Sequence, residues 1–244
     1  CGLQTIGLVN VPSSTIAREA DAVLPTRAGP EIGVASTKAF TAQLTVLLCF
    51  AVALARAKGQ IDEVRAEAIH AEIQALPGLV GKALGLFDAI RPVAHQLSQA
   101  KSALYLGRGA LYPLAMEGAL KLKELSYIHA EGFASGEMKH GPIALIEEDL
   151  PVVALLAAGA VMAKASSNLR EASARGGKII LLSEARAAAE VDYASAVITV
   201  PDVDPLLAPI LLAIPAQILA YLTAVEKGTD VDQPRNLAKS VTVE

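Results

Sequence analysis

The chain of 244 residues contains no tryptophan, and aromatic residues make up only 4% of it, although 53% of its residues are hydrophobic. Cysteine is equally scarce, since only Cys1 and Cys49 are present. Two cysteines are too few for a disulfide framework, which favours a reducing compartment such as the cytoplasm. Cys49 lies in an apolar helical segment, where we predict a small core residue.

Clusters of basic residues are also missing, and the net charge is -4. This balance argues against nucleic acid as a partner. No basic segment precedes an apolar core at the start, so we predict no signal peptide. The first residue is not methionine, which suggests a piece of a longer protein. The spacing of histidine, cysteine and acidic residues suits no metal site, and no motif indicates a cofactor.

One uncharged segment, 205–225, is long enough to span a membrane. Three prolines, Pro205, Pro209 and Pro215, and the polar Gln217 interrupt it. A helix buried in a layered domain has the same apolar composition as a spanning helix. We therefore predict a buried helix here and no membrane contact.

Short apolar segments alternate with helical ones along most of the chain, which predicts parallel sheets flanked by helices, an α/β fold. The predicted strands are 5–11, 22–24, 102–106, 151–156, 178–182 and 196–200. The predicted helices are 14–20, 37–58, 162–174 and the apolar segment above. Two further helices, 62–76 and 79–100, are predicted to form a linker hairpin that breaks at Pro77 and Gly78.

An internal repeat divides the chain. Segments 5–56 and 178–225 show the same order of strand, short helix, strand and long helix, with Ala42-Gln43-Leu44 matching Ala216-Gln217-Ile218. We predict two related domains, of which the first lacks the counterpart of 102–176. The predicted boundaries are 1–60 for the incomplete domain, 61–100 for the helical linker, 101–226 for the second domain and 227–244 for a tail.

A stripe of charge crosses an otherwise apolar helix at Glu117, Lys121 and Glu124, which are spaced i, i+4 and i+7 and so share one face. Buried charges need partners, and their presence suggests a helix beside a polar cavity. Glu124 is the candidate base, because partial burial raises the proton affinity of a carboxylate. The alternative is a structural ion pair with Lys121 or Lys123.

Other candidates lie on turns and on the tail. His140 follows a glycine-rich turn, where an imidazole could transfer protons near neutral pH or simply face solvent. Lys239 lies in the polar tail, which is either a frayed terminus or an ordered coil whose amine could form a Schiff base with a ketone. Ser36 is the predicted N-cap of the helix 37–58. Gly107-Arg108-Gly109 is a weak phosphate-loop signal.

Three segments are highly specific: EIGVASTKAFTAQL at 31–44, EGALKLKELSYIHAE with SGEMKHGPIALI within 117–146, and KGTDVDQPRNLAKSVTVE at 227–244. They closely resemble the isomerase half of the glucosamine-6-phosphate synthases, which consists of two flavodoxin-like sugar isomerase (SIS) domains. The resemblance implies conversion of fructose 6-phosphate to glucosamine 6-phosphate for amino sugar and cell-wall precursors. It implies that Lys239 forms an imine with the sugar and that Glu124 moves a proton between C1 and C2.

The same resemblance implies further roles. Lys121 stabilises the developing oxyanion, and His140 opens the sugar ring in the neighbouring subunit's site, which makes the enzyme a homodimer with shared sites. Val34, Ser36 and Ala238 contact the sugar. The glutaminase domain and the Ser/Thr-rich phosphate loop of the family are missing from these residues, so glutamine is not expected to be their ammonia source. The alternatives are a stand-alone SIS-type isomerase or deaminase, and a non-catalytic sugar-phosphate-binding regulator.

Overall fold

The computed structural model describes residues 2–239. Cys1 and the last five residues of the tail lie outside this range. The first part of the chain contains β1 (Ile6–Val9), α1 (Thr15–Glu19), β2 (Ala22–Pro25), α2 (Lys38–Ala57), α3 (Glu63–Leu84) and α4 (Phe87–Ser98). The rest contains β3 (Ser102–Gly107), α5 (Leu111–Ser126), β4 (His129–Ala134), β5 (Pro151–Leu156), α6 (Met162–Ser173), β6 (Lys178–Glu184), α7 (Ala185–Ala188), β7 (Ala196–Val200) and α8 (Ala208–Lys227).

All paired strands of the described chain are parallel, which confirms the predicted fold class. The larger sheet has the order β4-β3-β5-β6-β7. Counted within this sheet the order is 2-1-3-4-5, the flavodoxin-like arrangement. Its central strands are almost wholly apolar because helices cover both faces, α4, α5 and α8 on one and α6 with α7 on the other.

The first part of the chain repeats the order of the last part. The elements β1, α1, β2 and α2 correspond in order to β6, α7, β7 and α8, and β1 pairs with β2 in a separate two-stranded sheet. The predicted repeat is therefore present as structure. The two long helices differ in burial, since α8 lies inside the larger domain whereas α2 has Ala39 as its buried residue.

Both of these long helices are sufficiently long and apolar to cross a membrane, judged by length and composition. In α8, 78% of the most apolar window is buried inside the protein, as the interrupted apolar segment predicted. In α2 the corresponding share is 6%. The prediction that Cys49 is a core residue is wrong, because it lies on the exposed side of α2.

The predicted break of the linker hairpin at Pro77 and Gly78 is wrong. Helix α3 continues through Pro77, and the bend of 56° lies beyond Leu84, between α3 and α4. Buried residues on both sides of the proline, including Leu76 and Ala83, hold the helix together. After α5, His129 begins the edge strand β4, which pairs along β3.

Helix α5 lies unusually close to the sheet because glycine occupies the contact positions. A side chain at Gly132 of β4 would meet the backbone of Met116 on α5, and one at Gly118 would lie 2.8 Å from the ring of Tyr105 on β3. Tyr105 itself is fully buried. The position of α5, and with it the stripe of charge, therefore depends on these small residues.

Replacing Gly118 with alanine should lower the free energy of unfolding by about 1 to 3 kcal/mol, because the added methyl overpacks the contact with Tyr105. The matched control is Gly78→Ala in α3, where nothing lies within 4 Å of the added methyl. That change should stabilise the protein by about 0.5 to 1 kcal/mol, because alanine is the better helix former. Urea unfolding of both variants measures the difference, and a stabilised Gly118→Ala protein would contradict the packing described above.

Candidate active site

The stripe of charge on α5 forms an ion-pair triad. The ammonium of Lys121 lies 2.7 Å from Oε2 of Glu124 and 3.6 Å from Oε1 of Glu117. The side chain of Lys121 is only 4% exposed, that of Glu117 is 16% exposed and that of Glu124 is 21% exposed. A desolvated ammonium is costly without partners, and the two carboxylates stabilise it. The alternative ion pair of the stripe is therefore present, and it is made with Lys121.

The surroundings of Glu117 alter its proton affinity. Burial is the largest influence on the pKa of Glu117 and raises it above its ordinary value. The positive charge of Lys121 lowers this pKa in part, and the negative charge of Glu124 raises it again. Glu117 therefore holds its proton more readily than a free glutamate does.

A second carboxylate, Glu31, organises the start of α2. Its Oε1 accepts hydrogen bonds from the hydroxyl of Ser36 at 3.1 Å and from the backbone amides of Ala39 and Thr37 at 3.3 and 3.4 Å. The predicted N-cap role of Ser36 is wrong, because the helix begins after Thr37 and Glu31 takes the free amides instead. A carboxylate at this position also interacts favourably with the helix dipole.

The tail folds back over the end of α5 and reaches this loop. The hydroxyl of Thr229 donates to the carbonyl of Leu125 at 2.6 Å, and the amide of Arg235 donates to the Tyr127 hydroxyl at 2.9 Å. The Arg235 guanidinium also lies 4.2 Å from the centre of the Tyr127 ring. Each contact satisfies a group at the end of the helix, so the described part of the tail is an ordered coil.

The last described residue of the tail, Lys239, is bound to the loop before α2. Its ammonium lies 3.0 Å from Oε2 of Glu31 and 3.5 Å from the carbonyl of Val34. The Val34 amide in turn donates to the carbonyl of Asp232 at 2.9 Å. Burial alone would raise the pKa of Glu31, yet Lys239, the Ala39 amide and the Ser36 hydroxyl together hold it below its usual value.

A cavity of about 330 Å³ lies between the loop, the tail, α5 and α8. Its lining includes Glu31, Ala35, Lys38, Lys121, Gln217 and Asp232. The cavity therefore joins the buried ammonium of the triad to the carboxylate that binds Lys239. Charged groups converge on a concave space of this size in sites for small polar ligands.

The remaining candidates lie elsewhere. The imidazole of His140 is 73% exposed on a 3₁₀ turn, Ser135–His140, and its Nδ1 lies 2.7 Å from Glu137. Ala238 is exposed beside Lys239. At the weak phosphate-loop signal, the Arg108 guanidinium donates to the Asn168 side chain at 3.1 Å and lies against Gly136 in the His140 turn.

Sequence reasoning missed Glu31 and Asp232, which bring the loop and the tail together. Glu31 begins the segment EIGVASTKAFTAQL, so its presence in a specific motif was a signal that could have identified it. Asp232 contributes through its backbone carbonyl, which no side-chain pattern predicts. Among residues 2–239, no group of three or more histidine, cysteine or acidic side chains is placed to hold a metal ion.

Comparison with known proteins places this geometry in a family. The model of the SIS domain matches residues 2–53 and 96–227. The chain belongs to the SIS domain family. This membership confirms the resemblance recognised in the three specific segments, and it accounts for the parallel sheets of the two repeated parts.

The chain is also similar to full-length curated proteins. It is 57% identical over 238 residues to the glutamine–fructose-6-phosphate aminotransferase (isomerizing) of Zymomonas mobilis, covering 97% of this chain and 39% of that protein. It is 56% identical over 245 residues to the protein of the same name from Brucella abortus, covering 100% of this chain and 40% of that protein. The chain thus spans about two fifths of the length of these relatives.

Solved structures show the same similarity. The C-terminal domain of glucosamine-fructose-6-phosphate aminotransferase from Francisella tularensis has a TM-score of 0.90 and 42% identity, covering 94% of this chain and 65% of that one. A glucosamine-6-phosphate deaminase from Thermotoga maritima has a TM-score of 0.70 over 98% of this chain and 66% of that one. Its identity of 21% makes it a relative in fold alone.

The raised pKa of Glu117 predicts a pH dependence of stability. The folded protein holds this proton to a higher pH than the unfolded chain does. Ionised Glu117 therefore lowers the free energy of unfolding progressively as the pH rises above 4.5, the ordinary pKa of the residue. In Glu117→Gln that cost is absent. The free energy of unfolding of the variant relative to the unmodified protein should therefore rise between about pH 4 and pH 7. Urea unfolding across this range measures it, and a constant or falling difference would contradict the assignment.

Proposed function

We propose that this chain is the isomerase portion of a glutamine–fructose-6-phosphate aminotransferase, which converts fructose 6-phosphate to glucosamine 6-phosphate. The observation that carries the proposal is the Lys239 ammonium seated on Glu31 and the Val34 carbonyl, beside a cavity that the buried Lys121 also lines. The tail amine is bound by Glu31, and Glu31 lines the same cavity as Lys121 of α5, so an amine that could form an imine with a ketose is held near this cavity. The identities of 57% and 56% to proteins of this name support it.

In the proposed reaction the Lys239 amine adds to the C2 carbonyl of the linear sugar and water leaves, so that a C=N bond replaces the C=O bond. An incoming ammonia replaces the lysine at C2. Glu124 then takes a proton from C1 and returns a proton at C2, while the C1 hydroxyl loses its proton and the nitrogen gains one, so that C1 becomes the aldehyde and C2 carries the amine. Lys121 stabilises the negative charge that develops on the C1 oxygen, because its ammonium is already held beside Glu124.

The sugar contacts are proposed on the loop before α2 and on the tail. Val34 and Ser36 lie on the loop, and Ala238 precedes Lys239 on the tail that the loop binds. These residues come from segments separated by about the whole length of the chain. Closing the tail over the loop would therefore bring the amine to a sugar held on the loop and exclude water from the imine.

The proposal includes a homodimer in the cytoplasm with neither nucleic acid nor membrane as a partner. The homodimer is supported by His140, whose side chain is 73% exposed, so that its imidazole is available to another surface. In this arrangement His140 opens the sugar ring in the neighbouring subunit's site. A twofold interface would place two such histidines in two equivalent sites.

The alternatives rank below this proposal. A stand-alone SIS-type isomerase or deaminase has support from relatives in fold, such as the Thermotoga maritima deaminase at 21% identity. A non-catalytic regulator would not need Lys239 to be bound by Glu31, nor a buried lysine such as Lys121 at the same cavity as Glu31. The higher identity to the aminotransferases favours the amino sugar synthesis.

Replacing Glu124 with glutamine in the full-length protein should slow the exchange of fructose 6-phosphate and glucose 6-phosphate by about 10²- to 10⁴-fold, because the proton carrier is lost. The control is Glu190→Gln, which removes an exposed carboxylate far along the chain and should leave the rate unchanged. A coupled assay for glucose 6-phosphate measures both. An undiminished rate in Glu124→Gln would remove Glu124 from the mechanism.

The shared site predicts complementation between two inactive variants. In a mixed dimer of Glu124→Gln and His140→Ala subunits, one site receives both defects and the other receives neither. Random mixing of equal amounts should therefore restore about a quarter of the unmodified activity. Isomerisation assayed after mixing and subunit exchange measures it. No recovery in mixtures shown to contain the mixed dimer would contradict a site that spans two subunits.

A further inference from the structure

The two oxygens of the Glu31 carboxylate have different partners. Oε1 accepts from the Ser36 hydroxyl and from the amides of Ala39 and Thr37. Oε2 accepts from the Lys239 ammonium at 3.0 Å. One oxygen is thus fixed to the start of α2, and this leaves the other aimed at the amine of the tail.

This arrangement differs from an ordinary surface ion pair. Such pairs contribute little, because two flexible side chains must be ordered to form them. The Glu31 side chain is 14% exposed and is already ordered by three donors of its own segment, whereas Lys239 is 41% exposed. The carboxylate is therefore a preorganised partner, and the lysine is the group that is positioned by it.

The position of Glu31 connects three parts of the site. It holds the segment that carries Val34 and Ser36, it binds the tail through Lys239, and it lines the same cavity as Lys121. A second contact between loop and tail, from the Val34 amide to the Asp232 carbonyl, runs beside it. Loss of the Glu31 carboxylate would remove the charged contact and leave this neutral one.

We propose that Glu31 is the positioning residue for imine formation: it seats Lys239 beside the cavity and remains as the counter-ion of the cationic imine with a ketose phosphate. The inference rests on the proposed function. In this step two protons of the ammonium pass to the C2 oxygen, the nitrogen forms a C=N bond to C2, the C2–O bond breaks and water leaves, so one positive charge stays on the nitrogen. Because that nitrogen carries charge before and after the step, the same carboxylate stabilises both states.

The test uses the full-length protein with fructose 6-phosphate and sodium borohydride, which adds hydride to C2 of the imine and leaves a stable amine on Lys239. Peptide mass spectrometry measures the rate at which the adduct accumulates. In Glu31→Gln the rate should fall by about tenfold or more, the effect of losing one hydrogen bond between charged groups. Glu31→Asp keeps the charge but is one methylene shorter, and it should show a smaller loss.

The matched control is Glu63→Gln. Glu63 also binds a cation beside α2, since it lies 2.7 Å from the Arg56 guanidinium, but both side chains are more than half exposed. This variant should form the adduct at the unmodified rate. Ser36→Ala is a second, uncharged variant that removes a donor from Oε1, and it should slow the adduct in the same direction as Glu31→Gln but less.

A second readout needs no sugar. Limited trypsin cleavage after Arg235 reports the release of the tail, and it should be several times faster in Glu31→Gln, because the charged contact of the tail is lost. Adduct formation at the unmodified rate in a folded Glu31→Gln or Glu31→Asp protein would overturn the inference. Absence of any adduct in the unmodified protein would instead overturn the proposed function, and the cleavage rates would still decide whether Glu31 holds the tail.

Discussion

The buried ammonium of Lys121 is the constraint on which the rest of the site depends. A lysine side chain that is 4% exposed must be matched by carboxylates, and α5 supplies them one turn away on either side, at Glu117 and Glu124. Gly118 and Gly132 allow the backbone of the same helix to approach the sheet, and residues of α8, the tail and the loop surround the cavity beside Lys121.

The tail is the second half of the site, and its order has a physical cause in the end of α5. The last carbonyls of a helix need donors, and Thr229 supplies one to Leu125. Tyr127 follows in the left-handed conformation, and its hydroxyl and ring hold Arg235. From there the chain reaches Glu31. A polar segment without hydrophobic periodicity is thus ordered by a series of hydrogen bonds to fixed groups.

Glu31 and the α5 triad illustrate two ways of using a carboxylate. In the triad, burial of Glu117 next to another acid raises its pKa, and Lys121 offsets the repulsion only in part. At Glu31, three donors from Ser36, Ala39 and Lys239 outweigh burial and hold the pKa low. Glu117 therefore holds a proton more readily than an ordinary glutamate, and Glu31 holds one less readily. Glu31 lines the cavity together with Lys121, whereas Glu117 lines a different pocket with Phe40 and Lys123.

The sequence alone predicted much of this molecule. Hydrophobic alternation identified the parallel α/β class, the repeated order of elements and the burial of α8, because these depend on local periodicity and composition. The spacing of Glu117, Lys121 and Glu124 placed three charges on one face for the same reason, since the geometry of a helix is known in advance. The specific segments correctly indicated the SIS domain family.

Other features depended on contacts between distant residues. Pro77 was expected to end a helix, but packing on both sides of it kept α3 continuous. Cys49 was expected in a core, but burial of an apolar helix depends on which neighbours cover it. The sequence by itself determined which residues carry charge and how they repeat along each element. Only the tertiary structure decided that Lys239 pairs with Glu31, which lies far from it in the sequence. The ion pair forms because the fold brings the tail and the loop together, and a contact between such distant residues cannot be predicted from a local sequence pattern.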